Sequence, residues 1–189
     1  RMKVGDFSLL FAVLALLCWA AAVAIAVGAL VWRSGRGGER LAQVRYDLGR
    51  GALPLAWVVS LVVILGSLYY SKVQGYVPCE LCWYQRICLY PWSVILGIAT
   101  FRRDVSIKVY AIPVLCISAA ISIYHTWIQA YPPSNGTSFC TADAPCTLRY
   151  VWQFGFVSLP FMALSAAVAM IALLSIASPS PSESIEESR

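Results

Sequence analysis

Charged residues are scarce in this sequence of 189 residues: they make up only 12% of it, whereas hydrophobic residues make up 60%. A soluble domain of this size cannot bury so much apolar surface, so the composition predicts a protein that lies in a lipid bilayer. The chain has no internal repeat and no stripe of basic residues, and its net charge of +5 comes from residues clustered beside apolar runs. The composition therefore argues against a nucleic-acid-binding protein.

Five apolar segments are long enough to be membrane helices, which need about 20 residues each. They are Phe7–Trp32, Leu53–Tyr70, Leu81–Phe101, Val109–Ala130 and Tyr150–Ala177. The first run is about twice as long as the apolar part of a signal peptide, so we expect it to be a retained helix. The final residues, 178–189, are rich in Ser, Pro and Glu, and we expect them to form a disordered tail.

Basic residues lie in two alternate connections between these spans. Those after the first span are Arg33, Arg36, Arg40, Arg45 and Arg50, and those after the third span are Arg102, Arg103 and Lys108. The positive-inside rule places both loops in the cytoplasm and the N-terminus outside. Residues 38–50 also place Leu41, Val44 and Leu48 on one helical stripe. That stripe indicates either a helix on the cytoplasmic membrane surface or a helical linker.

Cys79 and Cys82 form a Cys-x-x-Cys motif at the predicted outer mouth of the third span. Pro78 precedes the motif and is well placed to begin a helix. A helix N-terminus stabilises a thiolate, which is the nucleophile of disulfide exchange. Because a spacing of three residues puts both sulfurs on one helical face, the motif is typical of a redox-active pair.

Arg86 follows Cys82 by four residues and points within about 60° of both cysteines on a helix. A charge inside a membrane helix costs up to about 3 kcal/mol, so such a residue usually faces a partner or a polar cavity. We interpret Arg86 as the partner of a thiolate or of a reduced quinone oxygen; an arginine that reaches the headgroups is the alternative. His125, near the outer end of the fourth span, is a donor for either a quinone carbonyl or a backbone carbonyl, and both interpretations stay open.

Cys140 and Cys146 lie in the other outer loop, and the five residues between them allow the chain to turn back and close a disulfide. So small a ring stabilises the fold by only about 2 kcal/mol, which favours a bridge made for exchange over a structural one. The loop Gln129–Arg149 is long enough to bring this bridge to a soluble partner and to Cys79. A bridge that only shapes the loop is the alternative. Three further cysteines inside apolar spans are interpreted as packing residues: Cys18, Cys88 and Cys116.

Taken together, these motifs resemble the DsbB/BdbC family of quinone-linked, disulfide-forming membrane proteins. The similarity is carried by VPCELCWYQRICLYP at residues 77–91, by Tyr124-His125 with Gln129, by the loop cysteines and by FGFVSLP at residues 154–160. It covers roughly residues 53–175. The closely spaced loop pair is similar to the BdbC side of the family.

The resemblance implies an all-α membrane protein with a four-helix transmembrane bundle (DsbB-like) and two outer loops. The first span, Phe7–Trp32, departs from that pattern as one additional N-terminal transmembrane helix. We therefore predict three regions: 1–52 as N-terminal helix and cytoplasmic Arg-rich linker, 53–177 as the four-helix domain and 178–189 as the tail.

The resemblance also implies an activity, that of a protein-dithiol:quinone oxidoreductase in the cell inner (plasma) membrane. Cys79 and Cys82 would form the pair next to the quinone, which is ubiquinone or menaquinone, with Cys82 nearest to it and Arg86 in contact with it. Cys140 would form the mixed disulfide with a DsbA-like, thioredoxin-fold dithiol protein outside the cytoplasm, and Cys146 would then exchange with Cys79.

Three alternatives remain from the sequence. A vitamin K epoxide reductase-like protein is disfavoured because its loop cysteines precede the Cys-x-x-Cys. A non-quinone thiol/disulfide electron conduit would need reactive cysteines within two spans, and nothing polar accompanies Cys88 or Cys116. A zinc-binding module built from four cysteines is disfavoured by the arginine on the same helical face, so we predict no metal.

Overall fold

Six α-helices build the protein, in a computed structural model that describes residues 4–35, 38–133, 140 and 144–178. The helices are α1 (Val4–Arg33), α2 (Glu39–Leu68), α3 (Glu80–Leu89), α4 (Trp92–Arg102), α5 (Lys108–Ala130) and α6 (Leu159–Ile176). A π-helical turn, Tyr69–Val73, prolongs α2, and a short 3-10 turn, Val105–Ile107, leads into α5. Except for Ser178, the predicted tail lies outside the described residues.

Helices α2, α3–α4, α5 and α6 pack around one apolar core, and α1 lies outside it against α6 and α2. The core residues of the described chain are Leu53, Ala56, Leu89, Trp92, Leu96, Ala99, Ala111, Leu115, Ala167, Met170 and Leu174. Within the described ranges, α1, α2, α5 and α6 are each long and apolar enough to cross a membrane. The prediction of an all-helical, multi-pass membrane protein with a four-helix bundle and one additional N-terminal helix is confirmed.

The predicted third span is not one continuous helix. It is divided at Tyr90 and Pro91 into α3 and α4. Proline has no N–H to continue the helical hydrogen bonds, so α4 makes a new start in which the amide of Ile95 donates to the carbonyl of Pro91 at 3.0 Å. The short α3 therefore carries the Cys-x-x-Cys motif, while α4 packs beside α2 in the bundle.

Residues 39–50 are the first turns of α2, not a separate element. Leu41, Val44 and Leu48 thus belong to a helix that continues to Leu68. The linker alternative describes this segment better than a separate surface helix does. The predicted boundary between residues 52 and 53 falls inside this helix.

The predicted fifth span began too early, because the chain from Tyr150 to Ser158 is not helical. Gln153 and Val157 instead form an antiparallel bridge around a tight turn, with φ of 52° at Phe154 and 78° at Gly155. Such left-handed backbone cannot continue a helix. The membrane helix α6 begins only at Leu159.

Contacts at the two ends of the bundle show which helix ends lie together. At one end, Phe7 of α1 packs on Tyr69, and His125 of α5 contacts the carbonyl of Cys146. At the opposite end, the ammonium of Lys108 donates to the carbonyl of Ala177. Both cysteine pairs lie at the first end, and the arginine-bearing end of α1, the start of α2 and the end of α4 lie at the second.

Candidate functional site

Cys79 occupies the N-cap of α3, and Cys82 lies one turn into that helix. Their sulfur atoms are 2.9 Å apart, so the Cys-x-x-Cys motif brings the two thiols into hydrogen-bond contact. Cys79 precedes the third span and is only 6% exposed. The hydrogen bond from Cys82 is the largest cause that lowers the pKa of Cys79 below the ordinary thiol value, and His125 lowers it further. Cys79 is therefore prepared to act as a thiolate.

His125 lies on the side of Cys79 that faces the other cysteine loop. Its Nε2 atom is 3.7 Å from the sulfur of Cys79 and 3.1 Å from the backbone carbonyl oxygen of Cys146. Of the two interpretations of this histidine, the structure shows the backbone carbonyl partner. Its ring is not among the described residues that line the cavity next to Cys82. One ring nitrogen thus contacts a residue from each cysteine pair.

Cys140 and Cys146 are joined by a disulfide, with their Cα atoms 5.8 Å apart. Cys146 is buried and Cys140 half-buried, and both pack in one apolar cluster with Cys79 and Cys82. Ile128 of α5 belongs to the same cluster. All four predicted catalytic cysteines are therefore gathered at one end of the bundle.

The segment after Cys146 is attached to the end of α5 by polar contacts. The buried Gln129 donates its side-chain amide to the carbonyl of Leu148 at 3.0 Å. Arg149 donates in return to the carbonyl oxygens of Gln129 and Ala130, at the C-terminal end of α5. Carbonyls at a helix C-terminus favour a cation. These bonds hold Cys146 beside His125.

A cavity of about 320 Å³ lies on the other side of Cys82. It extends between α2, α3 and α6, and α1 covers part of it. Its polar end contains Cys82, Gln85, Arg86, Ser67 and Tyr90, and the rest of its lining is largely apolar. A volume of this order is typical of pockets for small organic ligands, which run from about 300 to 1,000 Å³.

Arg86 is half-buried at the polar end of this cavity. Its Nε atom donates to the hydroxyl of Ser67 at 3.1 Å, and one terminal nitrogen donates to the Ser67 carbonyl at 3.4 Å. The Tyr90 hydroxyl also donates to Ser67 Oγ, at 2.8 Å, and the guanidinium lies 5.3 Å from the ring centre of Trp83. The guanidinium is thus fixed inside the protein, which the headgroup alternative did not predict.

Three tyrosines stack on one another at the cysteine end of the cavity. Tyr70, Tyr76 and Tyr150 are stacked in that order, with ring centres 5.8 and 4.5 Å apart. The hydroxyl of Tyr150 donates to the carbonyl of Val77 at 3.3 Å, next to the Cys-x-x-Cys motif. All three rings line the cavity. We call them the tyrosine stack.

The sulfurs of Cys79 and Cys82 and the imidazole of His125 also form a compact donor set, with ligand atoms within 4.8 Å of one another. Two thiolates and an imidazole are ligands that Zn²⁺ accepts. The disulfide occupies the other two outer cysteines, so this set has three donors and not the four thiolates of the zinc module considered above.

Sequence reasoning missed several residues of the site. Ser67 and Gln85 line the cavity, and Gln85 also donates to Ser122 at 3.0 Å to fix α3 against α5. Gln85 could have been found, because it lies three residues after Cys82 and so on the same helical face. Nothing in the sequence pairs Ser67 with Arg86, which is 19 residues away. Of the three cysteines interpreted as packing residues, Cys18 lines the cavity, Cys88 is half-buried and Cys116 is exposed on α5.

Comparison with known proteins extends these findings. The family model described as disulfide bond formation protein DsbB matches residues 49–177. The chain is 44% identical to disulfide bond formation protein C of Bacillus subtilis (strain 168) over 128 residues, which are 68% of this chain and 93% of that protein. It is 40% identical to probable disulfide formation protein C 2 of Bacillus anthracis over 124 residues, 66% of this chain and 88% of the relative.

A third relative, the probable disulfide formation protein of Oceanobacillus iheyensis, is 42% identical over 114 residues, which are 59% of this chain and 77% of that protein. No solved structure matches the chain. The family match begins within α2, so α1 lies outside it. The four cysteines, Arg86 and His125 all lie inside it. The chain belongs to the DsbB family of disulfide bond formation proteins.

Proposed function

We propose that this protein oxidises the dithiol of a thioredoxin-like partner outside the cytoplasm and passes the electrons to a membrane quinone. The observation that carries the proposal is the position of the Cys-x-x-Cys motif between two environments. Cys79 contacts the histidine that also contacts Cys146, whereas Cys82 lines the cavity that contains Arg86. The motif can therefore exchange with the loop disulfide on one side and with a lipid-soluble acceptor on the other.

The first step is disulfide exchange at the loop. A thiolate of the partner attacks the sulfur of Cys140, which is the less buried member of the bridge. The bond between Cys140 and Cys146 breaks, and Cys146 leaves as a thiolate. The second thiol of the partner then displaces Cys140, so that the partner leaves with a disulfide and both loop cysteines are reduced.

The second step returns the loop to its oxidised form. With Cys79 and Cys82 joined as a disulfide, the thiolate of Cys146 attacks Cys79, and Cys82 leaves as a thiolate. Cys140 then displaces Cys79 and closes the loop bridge again. His125 donates a hydrogen bond to the thiolate that forms on Cys79, because its Nε2 atom lies 3.7 Å from that sulfur.

The third step takes place at the cavity. A quinone bound there would accept two electrons and two protons, and it is soluble in the membrane. Arg86, oriented by Ser67, would donate a hydrogen bond to a ligand oxygen at the polar end of the cavity. The thiols of Cys79 and Cys82 lose two electrons and two protons and re-form their disulfide. Overall, the partner's dithiol becomes a disulfide and quinone becomes quinol.

The residues of the cavity fit a quinone. A flat, uncharged ring with two carbonyl oxygens needs hydrogen-bond donors at its edge and apolar surface elsewhere. The guanidinium of Arg86 and the hydroxyl of Tyr90 supply polar groups at the cysteine end, and valines of α2 supply the apolar surface. Both ubiquinone and menaquinone rings meet this description.

The arrangement of charge supports an orientation with the cysteines outside the cytoplasm. The opposite end of the bundle contains Arg40 and Arg45 in the first turns of α2, Arg102 at the end of α4 and Arg103 directly after it, and basic segments beside membrane spans stay in the cytoplasm. Thiol labelling of intact cells with a membrane-impermeant maleimide tests this orientation. Labelling of reduced Cys140 only after the membrane is permeabilised would contradict it.

Zinc binding by Cys79, Cys82 and His125 is the rival function for the same atoms. A zinc site would hold both thiolates and prevent them from forming a disulfide. Metal analysis of the purified protein, before and after treatment with a chelator, separates the two functions. One tightly bound zinc per chain that must stay bound for folding would favour the rival.

The decisive experiment mixes the purified full-length protein anaerobically with a reduced thioredoxin-fold protein and decylubiquinone or menadione, and follows the absorbance of the quinone. We expect steady reduction by the wild-type protein and a loss of at least about a thousandfold for Cys79→Ser and for Cys82→Ser, since each removes a reacting sulfur. Cys88→Ser is the matched control on the same helix and should retain the wild-type rate. Full activity in either motif variant would refute the proposal.

A further inference from the structure

The additional helix α1 forms one side of the cavity that contains Cys82 and Arg86. Four of its side chains line the cavity: Phe11, Leu14, Ala15 and Cys18. They follow one another at spacings of three, one and three residues, which places them on one face of the helix. Because α1 lies outside the region that matches the family, this side of the cavity is a feature of this chain.

Small residues let α1 lie close to the bundle. Ser8, Ala12, Ala15 and Ala22 are all buried, whereas Leu17 on the opposite face is 58% exposed. Small residues at such a stripe allow close approach of two membrane helices. The helix is thus packed against the bundle along the same stretch in which it lines the cavity.

Aromatic contacts fix α1 on both sides of the cavity lining. Toward the cysteine end, the ring of Phe11 packs on Gly66, and the hydroxyl of Tyr70 donates to Ser8 at 3.2 Å. Toward the other end, Trp19 stacks on Phe161 of α6 with ring centres 6.4 Å apart. The segment between these contacts cannot move away from the cavity without breaking one of them.

The chemistry of the cavity changes along its length. Its lining on α2 and the π-helical turn that prolongs it runs from Ser71 near the cysteine end to Val58, thirteen residues away, which corresponds to about 20 Å along a helix. Among the described residues that line the cavity, the hydroxyl, amide and guanidinium groups lie toward the cysteine end. Farther down, Leu14 and Cys18 of α1 face valines of α2, and Ala166 of α6 also lines this part. The cavity therefore suits a molecule with a polar ring at one end and an apolar chain at the other.

We propose that α1 contacts the apolar side chain of the quinone and so makes this enzyme selective for acceptors that have such a chain. This inference rests on the proposed function, because it assigns the remaining part of the same cavity. The chain of the acceptor lies between α1 and α2, while the ring lies beside Cys82 and Arg86. Leu14 and Cys18 are specificity residues in this arrangement, and they do not touch the reacting atoms.

The test compares two acceptors that share a ring but differ in the chain. The first is decylubiquinone, and the second is the same dimethoxy-methyl-benzoquinone without the decyl group; menaquinone with two isoprene units and menadione form the corresponding naphthoquinone pair. Dithiothreitol serves as electron donor, so that no partner protein is needed, and its direct reaction with each quinone, which includes thiol addition to the unsubstituted ring carbon of the chainless quinones, is measured without protein and subtracted. KM and kcat are measured for the full-length protein with the pair that the wild type reduces.

Cys18→Phe fills the apolar part of the cavity, and Leu17→Phe places the same ring on the exposed face one residue away. We expect Cys18→Phe to raise KM for the chain-bearing quinone at least about tenfold, in line with steric discrimination in apolar pockets. KM for the chainless quinone and both kcat values should stay within about twofold of wild type. Leu17→Phe should leave all four constants unchanged.

Two further measurements keep the proposal falsifiable if Cys18→Phe fails to fold. Leu14→Ala removes apolar contact and should raise KM for the chain-bearing quinone about threefold, without changing that for the chainless one. A quinone with a photoreactive azide at the end of its decyl chain should label residues 11–18 of the wild-type protein. Excess decylubiquinone should prevent this labelling.

The outcomes separate this inference from the proposed function. Equal effects on both quinones, no effect on either, or photolabelling only outside α1 would overturn the role of α1 while quinone reduction by the wild type still stands. If the wild type reduces no quinone of either pair, the proposed function fails, and the inference fails with it.

Discussion

The two cysteine pairs are held by different parts of the protein. Cys79 and Cys82 are part of a helix end, where α3 and the neighbouring His125 fix their positions. Cys140 and Cys146 lie in a loop, and Cys146 is positioned mainly by side-chain contacts from Gln129 and Arg149 to the end of α5. In the proposed function, this difference gives a division of labour: the helix pair passes electrons into the membrane, and the loop pair can adapt to a partner.

The largest expected effect separates the two pairs by their electron donors. Cys146→Ser removes the loop disulfide, so the rate of quinone reduction with a reduced thioredoxin-fold donor should fall at least about a hundredfold. Dithiothreitol is small enough to reduce the Cys79–Cys82 disulfide directly, and its rate should stay within about threefold of wild type. Quinone absorbance measures both rates.

Cys116→Ser, on the exposed face of α5, is the control for that comparison. It should change neither rate. If the rates of quinone reduction with both donors fell equally in Cys146→Ser, the loop pair would be needed for the structure of the helix pair. The division of labour would then be wrong.

A smaller effect is expected on the membrane side of the helix pair. Arg86→Met removes the guanidinium that Ser67 orients in the cavity. A hydrogen bond to a charged group is worth about 1.5–3 kcal/mol, so we expect kcat/KM for quinone to fall about ten- to a hundredfold with either donor. Arg102→Met, at the opposite end of the bundle, is the matched control. Unchanged quinone kinetics in Arg86→Met would show that the guanidinium does not contact the acceptor.

The pH dependence of the alkylation rate of Cys79 tests the contact that His125 makes with this thiol. Cys82 and His125 together lower the pKa of Cys79, so its thiolate persists as the pH falls below the ordinary thiol range. In His125→Ala the pKa of Cys79 should rise, and alkylation of the reduced protein by iodoacetamide should slow about three- to tenfold near pH 6. Mass spectrometry of the labelled peptide gives the rate. No change in the pH profile would mean that His125 does not stabilise this thiolate, and at high pH the two proteins should react alike.

The smallest effect concerns the attachment of the loop. Gln129→Leu removes the hydrogen bond from the side-chain amide to the carbonyl of Leu148. One such bond contributes about 0.5–1.5 kcal/mol, so the rate with the protein donor should fall about two- to tenfold. The dithiothreitol rate should not change. An equal fall with both donors would place Gln129 in the support of the helix pair instead.

Much of the fold could be predicted because membrane helices are encoded by simple composition. The runs of apolar residues revealed five candidate spans, the family resemblance implied the four-helix bundle with an additional N-terminal helix, and Pro78 marked the start of the Cys-x-x-Cys helix. The errors lie where local chemistry interrupts an apolar run. Pro91 ends one set of helical hydrogen bonds inside a span, and the left-handed turn at Phe154 and Gly155 delays the last helix.

The candidate site was less predictable because it depends on contacts between distant segments. The alignment of Arg86 with Cys82 follows from helix periodicity, and both line the same cavity. The position of His125 between Cys79 and Cys146 depends on how α3 packs against α5, which no local pattern encodes. The contribution of Cys18 to the cavity likewise required the packing of α1 against the bundle.

The tyrosine stack has a consequence for how the two chemistries are kept apart. Tyr70, Tyr76 and Tyr150 line the cavity at its cysteine end, and Tyr150 also donates to the carbonyl of Val77 beside the Cys-x-x-Cys motif. In the proposed function, these rings would cover the acceptor on the side from which water-soluble thiols reach the cysteines, and the hydrophobic acceptor would enter from the lipid. Such cover would limit direct reaction between the acceptor and small reductants, so that electrons would reach the acceptor mainly through the sulfurs of Cys79 and Cys82.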